Sequence, residues 1–140
     1  PIPGTSKECY YGSQGYGTNP TASDTDGDGL NDGDEVNTYG TDPTNTDSDS
    51  DQLNDNEEIN TYNTNPNDKD SDDDNLKDGD EVKTHGTDPT LEDSDGDGLN
   101  DGDEIITHGT DPTLEDSDSD GLIDSDELFN TTWGLSLIHI

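Results

Sequence analysis

The chain has 140 residues, 38 acidic against four basic, and a formal net charge of -34; only 20% of it is apolar. That is too little hydrophobic material for an ordinary core at this length, and the self-repulsion of an unliganded chain would keep it expanded. So negative a surface excludes nucleic acid and anionic membranes as partners, and no segment is long and apolar enough to span a bilayer as a helix.

Residues 1–15 read as a linker or truncated edge. The single Cys9 has no internal disulfide partner, which leaves a free or vestigial thiol, or a link to another chain or to a part of this chain beyond residues 1–140. No leader is recognisable, which suits a mature form or a fragment. A half repeat follows at 16–23, where "YGTNPT" anticipates "YGTDPT" one period later. Four full repeats are expected at 24–46, 47–69, 70–92 and 93–115, and an incomplete fifth at 116–134. Each opens with D-x-D-x-D, and the starts are 23 residues apart. A fixed period in this range marks a repeat array whose units lean on their neighbours.

The opening loops read "DTDGDGLNDGDE", "DSDSDQLNDNEE", "DSDDDNLKDGDE", "DSDGDGLNDGDE" and "DSDSDGLIDSDE". Acids at places one, three, five and twelve, with a backbone carbonyl at place seven, form the frame with which a 12-residue loop wraps a hard cation. The candidate ligands of the first loop are Asp24, Asp26, Asp28, the Leu30 carbonyl, Asp32 and Glu35. In the second they are Asp47, Asp49, Asp51, Leu53, Asp55 and Glu58, and in the third Asp70, Asp72, Asp74, Leu76, Asp78 and Glu81. The fourth offers Asp93, Asp95, Asp97, Leu99, Asp101 and Glu104, and the fifth Asp116, Asp118, Asp120, Leu122, Asp124 and Glu127. Calcium takes six to eight such oxygens, whereas magnesium wants a small octahedral site and soft metals want thiols or imidazoles. A disordered acidic stretch would explain neither the constant Glu nor the large apolar residue at place seven.

Residues 24–46 hold seven acids, more than one divalent ion neutralises. A second calcium per repeat is therefore expected, shared between a loop and the adjacent Asp-Pro turn through Asp42, Asp88 and Asp111, with Asn19 and Asn65 in the same slot. The competing reading of those acids is a plain turn starter. Place six is Gly in three loops but Gln52 and Asn75 in the other two; the turn there favours a left-handed backbone, so the Gln loop should be strained.

After each loop a very short helix is expected, with Asp32 and Glu35 as a capping arrangement and Gly40 as a left-handed stop. The equivalent stops are Asn63, Gly86 and Gly109. Leu30, Leu53, Leu76, Leu99 and Leu122 would stack against Val36, Ile59, Val82, Ile105 and Leu128. Two side chains per repeat do not offset the backbone entropy of the whole unit, so the ion must supply the rest. His85 and His108 fill the slot of Tyr39 and Tyr62 and read as packing residues. The expected fold is an elongated calcium-stabilised array of loops and very short helices with little regular secondary structure. Paired EF-hand helices have no room within the period.

The unit D-x-D-x-D-G-L-x-D-x-x-E followed by Y-G-T-D-P-T resembles the thrombospondin type 3 repeat in its cysteine-free bacterial form, over residues 16 to about 132. The resemblance implies calcium-wrapped repeats used as stalks, spacers or adhesive segments outside the cell, and ligands at Asp24, Asp26, Asp28, Glu35 and their equivalents. The tail "LSLIHI" at 135–140 breaks the pattern and reads as the translation of a sequencing adapter, with a genuine apolar docking segment as the alternative.

No nucleophile and base pair, catalytic metal triad or phosphate loop is present, so an enzyme is not expected. The leading expectation is a secreted or cell-surface structural protein, a stiff rod, spacer or filament segment with about two calcium ions per repeat. Its partners would be other copies end to end or neighbouring domains of a longer surface protein, with glycans on Thr, Ser or Asn130. A calcium-dependent adhesion or partner-docking module is the first alternative, and a calcium buffer or sensor the second.

Overall fold

A computed structural model describes residues 17–132, with side chains up to 128. Cys9, the linker, the Asn130 sequon and the tail at 135–140 lie outside the described residues or side chains. The chain divides into two compact units, one up to Asn67 and one from Asp68 onward.

No strand occurs among the described residues. Five short helices follow the five loops: α1 (Asp32–Asp34), α2 (Asp55–Glu57), α3 (Asp78–Asp80), α4 (Asp101–Asp103) and α5 (Asp124–Thr132). The first four widen into a single π-type turn, at Glu35–Tyr39, Glu58–Tyr62, Glu81–His85 and Glu104–His108. Such turns occur mostly as isolated insertions at functional positions, and here each begins at the Glu of place twelve. The turn ends on the expected left-handed residue, with φ of 77° at Gly40, 61° at Asn63, 80° at Gly86 and 79° at Gly109. In α1 and α3 the stop residue's N–H reaches back five residues, from Gly40 to the Glu35 carbonyl and from Gly86 to the Glu81 carbonyl, both at 2.6 Å.

The capping differs from the expected arrangement. The N-cap is place eight, not place nine: Asn54 accepts from the Glu57 N–H in a reciprocal capping box, and Asn100 accepts from the Asp103 N–H. Asp32 is instead turned back into its own loop by Thr25, whose N–H and hydroxyl both donate to it at 2.7 Å. Both oxygens of Asp32 are thus engaged on the loop side, one by each Thr25 donor.

Apolar burial is limited to Leu30, Leu53 and Leu76 at place seven and to the turn prolines Pro43, Pro66, Pro89 and Pro112; Leu99 and Leu122 are half-buried, as are Val36, Ile59, Val82, Ile105 and Leu128. His85 is half-buried and His108 exposed. The most deeply buried side chains are mainly acids: Glu35, Asp55, Asp74, Asp78, Glu81, Asp101 and Glu104 are all at 0% exposure. An interior of carboxylates is the reverse of the usual distribution, and it determines where the function lies.

Candidate metal centre

Each loop is laced by its own acids. The place-one Asp accepts from two backbone N–H groups: Gly27 at 2.6 Å and Gly29 at 3.2 Å on Asp24, Gly96 at 2.7 Å and Gly98 at 3.0 Å on Asp93. The place-three Asp accepts from place five, as Asp26 does from the Asp28 N–H at 3.2 Å and Asp118 from that of Asp120 at 3.1 Å. The place-five Asp accepts from place seven; the N–H groups of Leu30, Leu53, Leu76 and Leu99 donate at 2.7 Å to Asp28, Asp51, Asp74 and Asp97. Place one spends both carboxylate oxygens on curling the chain, whereas Asp26, Asp28, Asp72 and Asp95 at places three and five keep a buried oxygen that no donor reaches.

The curl demands a left-handed backbone twice per loop. Place six shows it as expected, including φ of 97° at Gln52 and 79° at Asn75, but place four shows it too, at Ser50, Asp73 and Ser119 as well as Gly27 and Gly96. Gln52 is therefore strained, and three non-glycine residues at place four carry a milder cost.

The outcome is convergence of oxygens. Asp24, Asp26 and Asp28 bring carboxylate oxygens within 4.8 Å of one another, as do Asp47, Asp49 and Asp51, and Asp70, Asp72 and Asp74. Buried carboxylate oxygens with no donor are left at Asp26, Asp28, Asp72 and Asp95, and at Oε2 of Glu35, Glu81 and Glu104. A buried acceptor without a donor is costly. Burial, followed by the repulsion of neighbouring aspartates, raises Glu81 to about 8 and Glu35 to about 7; burial and Asp95, Asp97 and Asp101 hold Glu104 at about 7 despite the Thr110 bond. Asp72 is lifted to about 6 by burial and Asp74. A hard divalent cation at these oxygens would satisfy the orphaned lone pairs and the crowded charge together, so the residues fit calcium.

The fifth loop is more open, with Asp118 and Asp120 exposed and Asp116, Leu122 and Glu127 half-covered; Asp124 is buried.

Place nine is tied down by a relay that the sequence reading missed. The place-two Ser or Thr donates its N–H and hydroxyl to it, as Ser117 does to Asp124 at 3.0 and 2.6 Å, and Ser71 to Asp78 at 2.8 and 2.6 Å. The same hydroxyl accepts the N–H of the preceding turn, from Asp42 to Ser48 at 3.0 Å and from Asp111 to Ser117 at 2.7 Å. A second missed residue is the Thr of place eighteen. Thr41, Thr64, Thr87 and Thr110 donate to Oε1 of Glu35, Glu58, Glu81 and Glu104 at 3.4, 3.3, 3.2 and 3.0 Å, orienting the terminal carboxylate. The recurring "GT" and "NT" before each Asp-Pro or Asn-Pro was the available signal.

The acids of the Asp-Pro turns behave differently. Oδ1 of Asp42 accepts from the Thr44 N–H and hydroxyl at 3.0 and 2.7 Å, and Asp88 and Asp111 do the same with Thr90 and Thr113. Asn19 does so with Thr21, at 3.1 and 2.8 Å. These are side-chain turns of the kind that start a reversal, and Asp88 and Asp111 are exposed.

The family model described as the bacterial TSP3 repeat matches residues 24–46, 47–69, 70–91 and 93–114. Among solved structures, a biofilm-associated protein B domain is 44% identical over 32% of this chain and 11% of that one, with a TM-score of 0.32. A biofilm-associated protein BSP domain is 46% identical over 31% and 7%, with a TM-score of 0.30. The chain thus corresponds to about a tenth or less of either. No curated protein matches it. Four tandem matches covering most of the described residues establish that the chain belongs to the bacterial TSP3 repeat family.

Proposed function

We propose that the chain is a calcium-binding, non-enzymatic segment of a larger bacterial protein displayed outside the cell, folded by the ions it binds. The observation that carries this reading is the set of fully buried glutamates, Glu35, Glu81 and Glu104, each with an oxygen that no protein group satisfies. Each loop takes one ion through places one, three, five, seven and twelve, and the remaining carboxylates support a second, for about two per repeat. Loops of this kind in extracellular modules have dissociation constants of about 10⁻⁴ to 10⁻³ M. They fill at the millimolar calcium found outside cells and empty in cytosol.

Two uses suit such a segment. A docking role in adhesion is favoured by Leu91, Ile106 and Leu114, which stand 50%, 65% and 48% exposed in an otherwise polar surface. A stiff spacer or filament segment rests on the unbroken period and on the absence of strand and of a conventional core among the described residues. Calcium titration followed by circular dichroism, native mass spectrometry and small-angle scattering tests the common reading: uptake of about two ions per repeat with a gain of helix supports it, and an unchanged expanded coil at millimolar calcium refutes it. Replacing Leu91, Ile106 and Leu114 by Ser separates the uses. Loss of attachment by the surface-displayed chain with an unchanged scattering profile identifies docking, and unchanged attachment with a long rod-like profile identifies a spacer.

A further inference from the structure

Most bonds described above lie within one repeat, but one contact recurs between a repeat and its successor across 28 residues: place ten of the later loop meets place five of the earlier one. In the first unit Asn56 Nδ2 donates to the Asp28 carbonyl at 3.1 Å. In the second unit the Gly102 N–H donates to Asp74 Oδ2 at 2.7 Å. Ser125 makes both kinds of bond, from its N–H to Asp97 Oδ2 at 2.9 Å and from its hydroxyl to the Asp97 carbonyl at 2.6 Å.

The two units build this joint from different groups. Asp74 divides its carboxylate between repeats: Oδ1 accepts the Leu76 N–H of its own loop at 2.7 Å, and Oδ2 accepts the Gly102 N–H of the next. Asp97 does the same with Leu99 and Ser125. The curl of one loop and the first turn of the following helix thus depend on one side chain, through charge-assisted bonds to backbone donors. In the first unit Asp28 serves its own loop only, since Oδ1 accepts from the Leu30 N–H and Oδ2 meets no donor. The joint there consists of two side-chain amides on backbone carbonyls, Asn56 on Asp28 and Asn67 on Tyr39 at 3.0 Å. Neutral bonds of this kind contribute less than bonds to a charged group.

Packing divides the same way. A Cβ on Gly102 would collide with the backbone carbonyl of Asp74. Gly102 sits inside α4, where alanine is the better helix former, so close approach is what requires the glycine. In the first unit a Cβ on Gly29 would lie 2.7 Å from Asn56 Nδ2, the end of a side chain that can swing away. Asp74, Gly102, Asp97 and Ser125 are buried, whereas Asp28 and Asn56 are only half-buried. We propose that Asp74 and Asp97 are positioning residues that couple the third, fourth and fifth repeats into one cooperative block. Opening of a loop in this block releases the helix of the next repeat, and by reciprocity a helix that cannot dock loosens the loop before it. The first and second repeats are coupled more weakly. The inference rests on the calcium-loaded fold proposed above but concerns how order passes between repeats, not how many ions they hold.

The test is amide hydrogen exchange of the full chain in millimolar calcium chloride, read segment by segment by mass spectrometry. Gly102→Ala should speed exchange about tenfold or more both in its own helix, 101–108, and in the preceding loop, 70–76. Helix propensity alone predicts slower exchange at 101–108, so the sign separates a lost joint from a local effect. Asn56→Ala should leave the loop at 24–30 within about threefold of the parent. Gly33→Ala, where a Cβ meets nothing within 4 Å, should exchange no faster than the parent. Ser125→Ala keeps the N–H and loses the hydroxyl bond, and decides the matter should Gly102→Ala unfold the chain: exchange should quicken in the loop at 93–99 as well as in α5. An effect of Gly102→Ala or Ser125→Ala confined to its own helix overturns the coupling, as does an Asn56→Ala effect that carries as far. A parent that exchanges throughout at the free-chain rate overturns the calcium reading and the coupling with it.

Discussion

The two halves of each repeat are both rich in Asp, yet they use it in opposite ways. In the loop half, carboxylates such as those of Asp26, Asp72 and Glu81 are covered by protein and keep oxygens that no donor reaches. In the turn half, Asp42, Asp88 and Asp111 find two donors each on the Thr two residues later. The two halves thus differ in how their carboxylates are answered by the chain itself. A buried lone pair that the polypeptide leaves unanswered is relieved either by a proton or by an external cation, and at these acids the two compete.

The contrast breaks most visibly when the ion is taken away. Chelation should abolish the helical circular dichroism signal of all repeats, since three buried leucines are a small core and helices this short do not stand alone; magnesium at equal concentration should restore it poorly.

A smaller effect comes from single carboxylates in the two halves. Glu81→Gln should weaken calcium binding at its repeat by roughly tenfold, about 1.4 kcal/mol, while Asp88→Asn should leave the titration curve where it was, because an amide oxygen still accepts from Thr90. Equal losses in both variants would erase the distinction.

Acidity sharpens the same point. The raised Glu81, Glu35 and Glu104 are protonated more readily in the folded chain than in the unfolded one, so without calcium the unfolded form gains as pH rises. Residual order of the calcium-free chain should be greatest below pH 4.5 and decline as pH climbs through about 7 to 8, where these groups ionise. Calcium affinity should move the other way, rising over the same range as protons cease to compete. A calcium-free chain that becomes more ordered toward pH 8 would contradict the assignment.

Thr87→Val keeps the shape and removes the hydroxyl that orients Glu81. Its expected cost is about 1 kcal/mol in the stability of the calcium-loaded form, read as a lower thermal midpoint. The smallest expected change is a gain: Gln52→Gly relieves a left-handed φ, worth about 1 kcal/mol or less, and should raise the affinity of the second loop alone.

Much of this arrangement is legible in the letters. The convergence of the acids at places one, three and five, the left-handed stops at Gly40, Asn63, Gly86 and Gly109, and the poverty of regular structure all follow from residue type at fixed spacing. The partners of the acids do not follow. Asp32 and Asn31 are equally good cap residues on paper, and only the fold shows that Thr25 has already claimed the first. Ser50 and Asp73 conceal a left-handed place four, because neither residue type demands it. Gly102 resembles any helix glycine until the preceding loop is seen against it. Pattern encodes what a side chain offers, whereas the donor that answers it comes from segments the period brings together.

The contact between place ten and place five spans one whole period plus five residues. The first and second repeats, the third and fourth, and the fourth and fifth therefore join through the same place-five socket and place-ten plug. Inserting or removing whole periods would again set place ten of one loop opposite place five of the loop before it. A shift by any other number of codons would set a plug against the wrong partner.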